Sequence, residues 1–269
     1  MKLVKLFIFA ALAVGVTFPC YAEKVVMGGS TTLLPIAQRA AEIFMQKNPQ
    51  ADISVRGGGS GVGIASIIDG TCDIGNSSRP IKDSELEKAA TNGKDIKAHV
   101  VAMDGIAVVI NPGNNISTLS KQQIKDIYTG KISNWSELGG LSAKIVVISR
   151  DTSSGTFEAF AELALDKSKV RPDALMQASN QAVASTVART PGAIGYVGLG
   201  YISPEVKAVA VNGVMPSKET VLSNKYPIGR PLFMYTNGEP KGTASELLNF
   251  IKSTEGQKLV EKEGFVGLK

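Results

Sequence analysis

Short apolar runs alternate with stretches in which apolar residues recur every three or four positions, and that alternation sets the expected architecture. Lys24-Val25-Val26-Met27-Gly28-Gly29 predicts a strand that ends in a glycine turn. Leu34, Ala37, Ala40, Ala41 and Phe44 then share one helical face as far as Asn48-Pro49, where proline stops the pattern. Ile53-Ser54-Val55 predicts a second strand closed by Gly57-Gly58-Gly59; Ile64, Ile67 and Ile68 mark a short helix, and Cys72-Asp73-Ile74 a third strand. A polar helix is expected around residues 83–90, and a long apolar run over 100–110 ends at the turn signal Asn111-Pro112-Gly113. A second alternating block follows, with a helix carrying Ile124, Ile127 and Tyr128, a strand over 144–149, a helix over 157–165 and an extended segment at 193–196. Residues 227–235 form another long extended stretch, and helices are expected at 244–252 and 255–262. Strand–helix–strand alternation of this kind predicts a parallel sheet covered by helices. The two long extended segments, near 105–112 and 228–236, read as two crossings between lobes, after which the C-terminal helices return to the first lobe.

The first 22 residues read as a leader, not as fold. Lys2 and Lys5 make a basic start, an apolar run follows over 6–18, and Pro19-Cys20-Tyr21-Ala22 offers small residues for cleavage after Ala22. That run is too short for a spanning helix. A soluble exported protein, Glu23 to Lys269, is therefore expected. At 269 residues with 43% hydrophobic and 20% charged positions, the chain has the material for about two domains. Losing Lys2 and Lys5 lowers the formal net charge from +5 to +3, a mild bias suited to small anions. With aromatics at 6%, there is no platform for single-stranded nucleic acid, and no nucleic-acid partner is expected. Cys72 is left alone once Cys20 departs with the leader, so a buried inert thiol is expected in place of a disulfide. The single histidine, His99, has no acid or nucleophile beside it and reads as a satisfied strand residue, which weakens any Ser-His-Asp hydrolase. No Cys/His cluster offers a metal site, and no cofactor is expected.

Four segments share one character, glycine with Ser or Thr at the end of a strand. They are Gly29-Ser30-Thr31-Thr32, Gly57-Gly58-Gly59-Ser60-Gly61, Gly75-Asn76-Ser77-Ser78-Arg79 and Arg150-Asp151-Thr152-Ser153-Ser154-Gly155-Thr156. A helix N-terminus presents unpaired N–H donors and partial positive charge; glycine permits close backbone approach, and hydroxyls add donors. Any one segment alone reads as an N-cap in a turn, whereas four at strand ends point to a small-anion site beyond the carboxyl ends of the sheet. Neither a Walker loop nor a complete dinucleotide fingerprint is present. Arg150, at a strand end just before Ser154-Gly155-Thr156, is the first choice to grip a tetrahedral oxyanion; a surface pairing with Asp151 or Glu158 is the alternative. Arg79, turned by Pro80, reads as structural. Asp104 interrupts the apolar run Val100-Val101-Ala102-Met103-Asp104-Gly105-Ile106, where a carboxylate is costly without a partner. In an anion site it would accept a proton-bearing oxygen and so favour hydrogen phosphate over sulfate; capping a turn or pairing with an arginine is the alternative.

The four segments, together with Ile127-Tyr128-Thr129-Gly130-Lys131-Ile132-Ser133-Asn134-Trp135 and Gly192-Ala193-Ile194-Gly195-Tyr196, resemble the extracytoplasmic phosphate-binding proteins of high-affinity phosphate ABC transporters, in order along nearly the whole mature chain. The resemblance implies a type II periplasmic-binding-protein fold: two α/β lobes, 23–108 plus 231–269 and 109–230, joined by a two-stranded hinge with the ligand in the cleft. It implies a periplasmic, non-enzymatic, monomeric protein that binds inorganic phosphate and delivers it to a membrane permease. Matched by position, Thr31 and Thr32 give the first-loop contacts, Ser60 the glycine-loop serine, and Arg150, Ser154, Gly155 and Thr156 the second-lobe contacts. Ser30 and Ser77 are extra donors. Where the family often carries an aspartate acceptor this chain has Ser78, and Asp104 is the expected substitute. Another oxyanion such as sulfate or molybdate, or a secreted phosphatase, are the competing readings.

Overall fold

A computed structural model describes residues 23–268; the leader and its cleavage site lie outside them. The first half runs β1 (Glu23–Gly29), α1 (Leu34–Lys47), β2 (Ala51–Arg56), α2 (Ser60–Asp69), β3 (Ile74–Ser77), α3 (Asp83–Thr91) and the long β4 (Ile96–Ile110). The second continues with β5 (Thr118–Leu119), α4 (Lys121–Thr129), β6 (Val146–Arg150), α5 (Gly155–Leu163), β7 (Leu175–Gln177), α6 (Asn180–Arg189) and β8 (Ala193–Gly198). It ends with β9 (Lys207–Ala208), β10 (Ala210–Val211), α7 (Lys218–Leu222), β11 (Gly229–Asn237), α8 (Gly242–Lys252) and α9 (Thr254–Lys262). The third strand lies later than its pattern suggested, because the polar cluster Asn76-Ser77 is buried in the sheet while Asp73 stays outside it. The short β7 and helix α6 fall outside the elements expected from the sequence.

The main sheet has the order β2-β1-β3-β11-β4-β8-β6-β7. It is mixed, not parallel. β1 runs parallel to β2 and β3, and β6 parallel to β7 and β8, as two strand–helix–strand lobes require. Between them β4 and β11 are antiparallel to each other and to their outer neighbours, because they are the two crossings and run in opposite senses. β4 changes partner along its length, from β11 up to Gly105 to β8 from Ile106 onward.

Each lobe buries its own core. Val25, Met27, Ile36, Ala40, Val101, Ala102, Leu232 and Leu247 belong to one; Ile106, Val108, Ile124, Tyr128, Trp135, Phe160, Tyr196 and Ile228 belong to the other. Both crossing strands therefore change cores over the same short interval, between Ala102 and Ile106 and between Ile228 and Leu232. The C-terminus adds a third tie: Phe265 packs in the first core and Val266 in the second, with Val266 exchanging backbone hydrogen bonds of 2.8 and 3.0 Å with Met103.

The Tyr-Thr-Gly-Lys-Ile…Asn-Trp stretch builds core. Trp135 is fully buried and donates from Nε1 to Gly192 O at 2.8 Å. Phe160 and Tyr196 stack with 4.0 Å between their centroids, and Tyr128 meets Phe160 edge-on. Cys72 is buried and unpaired, and burial pushes its thiol up to about 12, so it stays a protonated apolar group. His99 meets Thr236 Oγ1 at 2.8 Å. Among the described residues no helix is long and apolar enough to cross a membrane.

Close packing of α2 on the sheet depends on Gly63. A Cβ there would lie 2.7 Å from both Asn76 O and Gly28 O, backbone atoms with nowhere to go. Gly63→Ala is expected to cost about 1–3 kcal/mol through overpacking, read as a lower urea midpoint at unchanged slope. An unchanged midpoint would show that the helix is not pressed against the strands.

Candidate functional site

The four glycine–hydroxyl segments meet at the strand ends between the lobes. Ser30, Thr31 and Thr32 follow β1, Ser60 opens α2, Ser78 follows β3, and Ser154, Gly155 and Thr156 lie where β6 passes into α5. All are buried. Gly155 has to be glycine, since a Cβ there would collide with Ser60 Oγ and come within 3.0 Å of Ser78 Oγ. α1 and α2 have no side-chain cap at their N-termini, whereas Ser154 caps α5 by accepting from Phe157 N–H at 3.2 Å. Ser77 turns back on its own chain and donates to Arg79 O at 2.7 Å, and Ser30 Oγ accepts from Thr32 N–H at 3.2 Å.

Arg150 is held from two sides. Its backbone N–H donates to Tyr196 Oη at 3.1 Å, so the aromatic stack of the second core sets where the strand ends. Its Nε and Nη2 donate to the carbonyls of Gln177 and Ala178 at 2.9 and 3.1 Å. Its Nη1 is buried with no hydrogen-bond partner. Burial pushes the guanidinium down and Arg230 repels it further, while Asp151 stabilises it. Such a buried donor demands an acceptor.

Two residues at this centre carried no expectation from sequence. Arg230 stands directly across the β4–β11 pairing from Asp104, where the crossing strands change cores. Its Nε and Nη2 donate to Asp104 Oδ2 at 3.1 and 2.8 Å, its Nη1 to Ser78 O at 3.0 Å, and Nη2 also reaches Thr32 Oγ1 and Thr156 Oγ1 at 3.3 and 3.1 Å. Asp104 Oδ1 accepts from Leu199 N–H at 2.9 Å. Burial pushes the Asp104 carboxyl above its ordinary value, against the pull of Arg230 and of backbone N–H groups. Asp104 is the buried carboxylate partner of Arg230. Asn180, the first residue of α6, accepts on Oδ1 from Gly198 N–H at 3.1 Å, which orients its Nδ2 toward Thr31 Oγ1 and Thr32 Oγ1, both at 3.1 Å. The signals were present: Arg230 is, like Asp104, a lone charge in an apolar strand, and Ser179-Asn180 followed by Val183, Ala184 and Val187 has helix-start spacing.

Hydroxyls of both lobes meet here: Thr32 Oγ1 lies 2.9 Å from Thr156 Oγ1 across the cleft, and the two share the reach of Arg230 Nη2, with Asn180 Nδ2 donating to Thr32. Thr31 Oγ1 accepts from Asn180 Nδ2 and, at 3.4 Å, Asn180 N–H, which leaves its proton free for another acceptor. Arg150 and Arg230 at the centre, with Asp104 bound to Arg230, Asp151 3.8 Å from Arg150 at the rim, and hydroxyls around them, form a donor-rich locus suited to an anion. Other bonds close the lobes around it: Gly61 N–H to Ser153 O at 2.9 Å, Ser153 Oγ to Gly58 O at 3.0 Å, and Arg79, bound to Glu85, reaching Glu158 of α5 at 3.1 Å. Among the described residues no group of His, Cys, Asp and Glu could hold a metal ion.

A family model described as a PBP superfamily domain matches residues 19–255. The phosphate-binding protein PstS of Bacillus subtilis is 38% identical over 242 residues, covering 89% of this chain and 79% of its own length. PstS of Borreliella burgdorferi is 34% identical over 260 residues, 92% of this chain and 91% of its own. Among solved structures, a phosphate ABC transporter substrate-binding protein with bound phosphate from Clostridium perfringens superposes with a TM-score of 0.85 at 35% identity, over 92% of this chain and all of that one.

Breaking the buried pair should be costly, whereas replacing both members should not. Asp104→Ala leaves Arg230 buried and unpaired, and a loss of about 3–5 kcal/mol is expected in denaturant unfolding; the double variant Asp104→Leu/Arg230→Met should recover most of it. Additive losses would show that the two side chains do not act as a pair.

Proposed function

This chain belongs to the PstS family of phosphate-binding proteins within the PBP superfamily, and on that premise we propose that its buried site binds inorganic phosphate outside the cytoplasmic membrane and delivers it to the permease of an ABC transporter. The observation that carries the reading is Arg150 Nη1, a buried cationic donor with no hydrogen-bond partner, at the strand end just before Ser154, Gly155 and Thr156. Thr31, Thr32, Ser60 and Ser78 would hold the anion from the first lobe, with Ser30 shaping their loop. Arg150, Ser154, Gly155 and Thr156 would hold it from the second, with the uncapped first turns of α1 and α2 adding N–H donors. Asp104 would act through Arg230, balancing its charge and fixing the hydroxyl network.

Function follows from where these groups are mounted. The binding loops lie on opposite sides of the β4–β11 crossing, so an anion gripping both makes the closed form more favourable than the open one. The lobes would run over 23–108 with 231–269 and over 109–230; the exchange of cores near Asp104 and Arg230 supports crossings at those points. Cleavage after Ala22 would release a monomer that performs no chemistry on its ligand.

Arg150→Ala is expected to weaken phosphate binding roughly 10- to 150-fold, the loss of a charge-assisted hydrogen bond, with the folded circular-dichroism spectrum retained. Calorimetric titration of protein stripped of ligand by unfolding and refolding measures it. Unchanged affinity would remove Arg150 from the site.

A further inference from the structure

Glu158 lies in the first turn of α5, two residues beyond Thr156, where its negative charge works against an anionic ligand. Its surroundings give it another task. Glu158 Oε1 lies 3.1 Å from Arg79 Nε, and Oε2 lies 2.6 Å from Lys82 Nζ. Both cations follow β3, whose Ile74 packs in the first core, whereas Glu158 belongs to the helix whose Phe160 packs in the second. The contact is largely shielded from water: the Glu158 side chain is 22% exposed and that of Arg79 only 6%. Ion pairs so placed are screened less than those on the open surface.

The contact is built to be made and broken. Arg79 gives Nη1 and Nη2 to the Glu85 carboxylate at 2.8 and 2.7 Å, and Glu85 Oε2 also accepts from Lys82 N–H at 2.9 Å. Arg79 and Glu85 lie in the same lobe, so Arg79 keeps a bidentate partner whichever way the lobes stand. Only Nε, which makes no hydrogen bond, is turned toward the second lobe, at ion-pair distance from Glu158. Lys82 is exposed and returns to water when Glu158 leaves. Parting the lobes here therefore orphans no buried charge, unlike parting Asp104 from Arg230. The contact is also tied to ligand-facing groups. Arg79 follows Ser78 directly, and Glu158 shares a helical turn with Gly155, where a Cβ would lie 3.0 Å from Ser78 Oγ. Pairing Glu158 with the two cations draws together the same segments that the site needs together.

We propose that Glu158 is a positioning residue for anion binding: through Arg79 and Lys82 it latches the two lobes in the closed form, acting on the lobes and not on the ligand. This rests on the phosphate reading of the site. A latch that stabilises only the closed form raises the apparent affinity by the share of closure it secures, and it slows release without speeding capture. Its sign is opposite to that of simple electrostatics. Removing a negative charge beside an anion site tightens binding by Coulomb attraction alone, whereas removing a latch loosens it.

Glu158→Gln keeps the shape of the side chain and drops its charge, and it is measured in the full chain stripped of ligand by unfolding and refolding. Calorimetry with inorganic phosphate at low ionic strength is expected to show affinity about 5- to 30-fold weaker than in the unmodified protein, the scale of two partly shielded ion pairs. Rapid-mixing exchange of radiolabelled phosphate should place that loss in the dissociation rate, with the association rate within about twofold. Added salt should narrow the gap between the two proteins, because screening weakens the latch only where it exists. Affinity that is unchanged or tighter in Glu158→Gln overturns the proposal. So does a loss confined to the association rate, or a gap that salt leaves unaltered. Should Glu158→Gln not fold, Lys82→Gln changes an exposed side chain of the same contact: faster release is expected, and an unchanged dissociation rate overturns the proposal. An unmodified protein that binds no phosphate is a distinct result, and it overturns the functional assignment instead.

Discussion

The structure depends on a carboxylate and a guanidinium buried together where two strands cross. Asp104 and Arg230 face each other in the β4–β11 register at the place where both strands pass from one hydrophobic core to the other. A lone charge at either position would carry a large desolvation penalty. Together they satisfy one another, and the remaining donors of Arg230 bond Ser78 O of the first lobe and the threonine hydroxyls of both lobes. The crossing and the candidate anion site thus share one polar network, centred on this pair.

Around that pair the two lobes contribute in different ways. The first lobe offers loops with glycine backbones and hydroxyls, held close to the sheet by contacts that no larger residue would allow, as at Gly63. The second lobe offers a charged side chain anchored by core packing: Tyr196, stacked on Phe160, receives the Arg150 backbone N–H, and two carbonyls beyond β7 hold its side chain. Four guanidinium nitrogens are held this way, Arg150 Nε and Nη2 on Gln177 and Ala178 and Arg230 Nε and Nη2 on Asp104, while Arg150 Nη1 is left for something else. A site built so is rich in fixed donors, the condition under which a small anion can be held by many of them at once.

The closing contacts outside the site are polar and local. Ser153 meets the Gly58–Gly61 backbone, and Glu158 links α5 to Arg79, whose guanidinium burial pushes down but Glu85 and Glu158 hold above its ordinary value. Hydrogen bonds and ion pairs of this kind add modestly to the contact between the lobes. Arg79, read from sequence as structural, has that role here.

Much of this was written in the sequence. Periodicity marked α1, α2, α4, α8 and α9 and the two long crossings, and the glycine–hydroxyl segments marked the strand ends that meet. Local rules suffice there, since a helix face or a turn is determined by residues a few positions apart. The partner of Asp104 was not legible. An isolated aspartate in an apolar strand says only that some partner exists, and Arg230 is 126 residues further along; only the antiparallel register of β4 and β11 puts them opposite. Asn180 was hidden for the same reason, its hydroxyl partners lying at the other end of the chain. Residue types declared that an anion was wanted. Which groups those hydroxyls meet was decided by tertiary structure, because their partners lie far along the chain and folding alone brings them within hydrogen-bond reach.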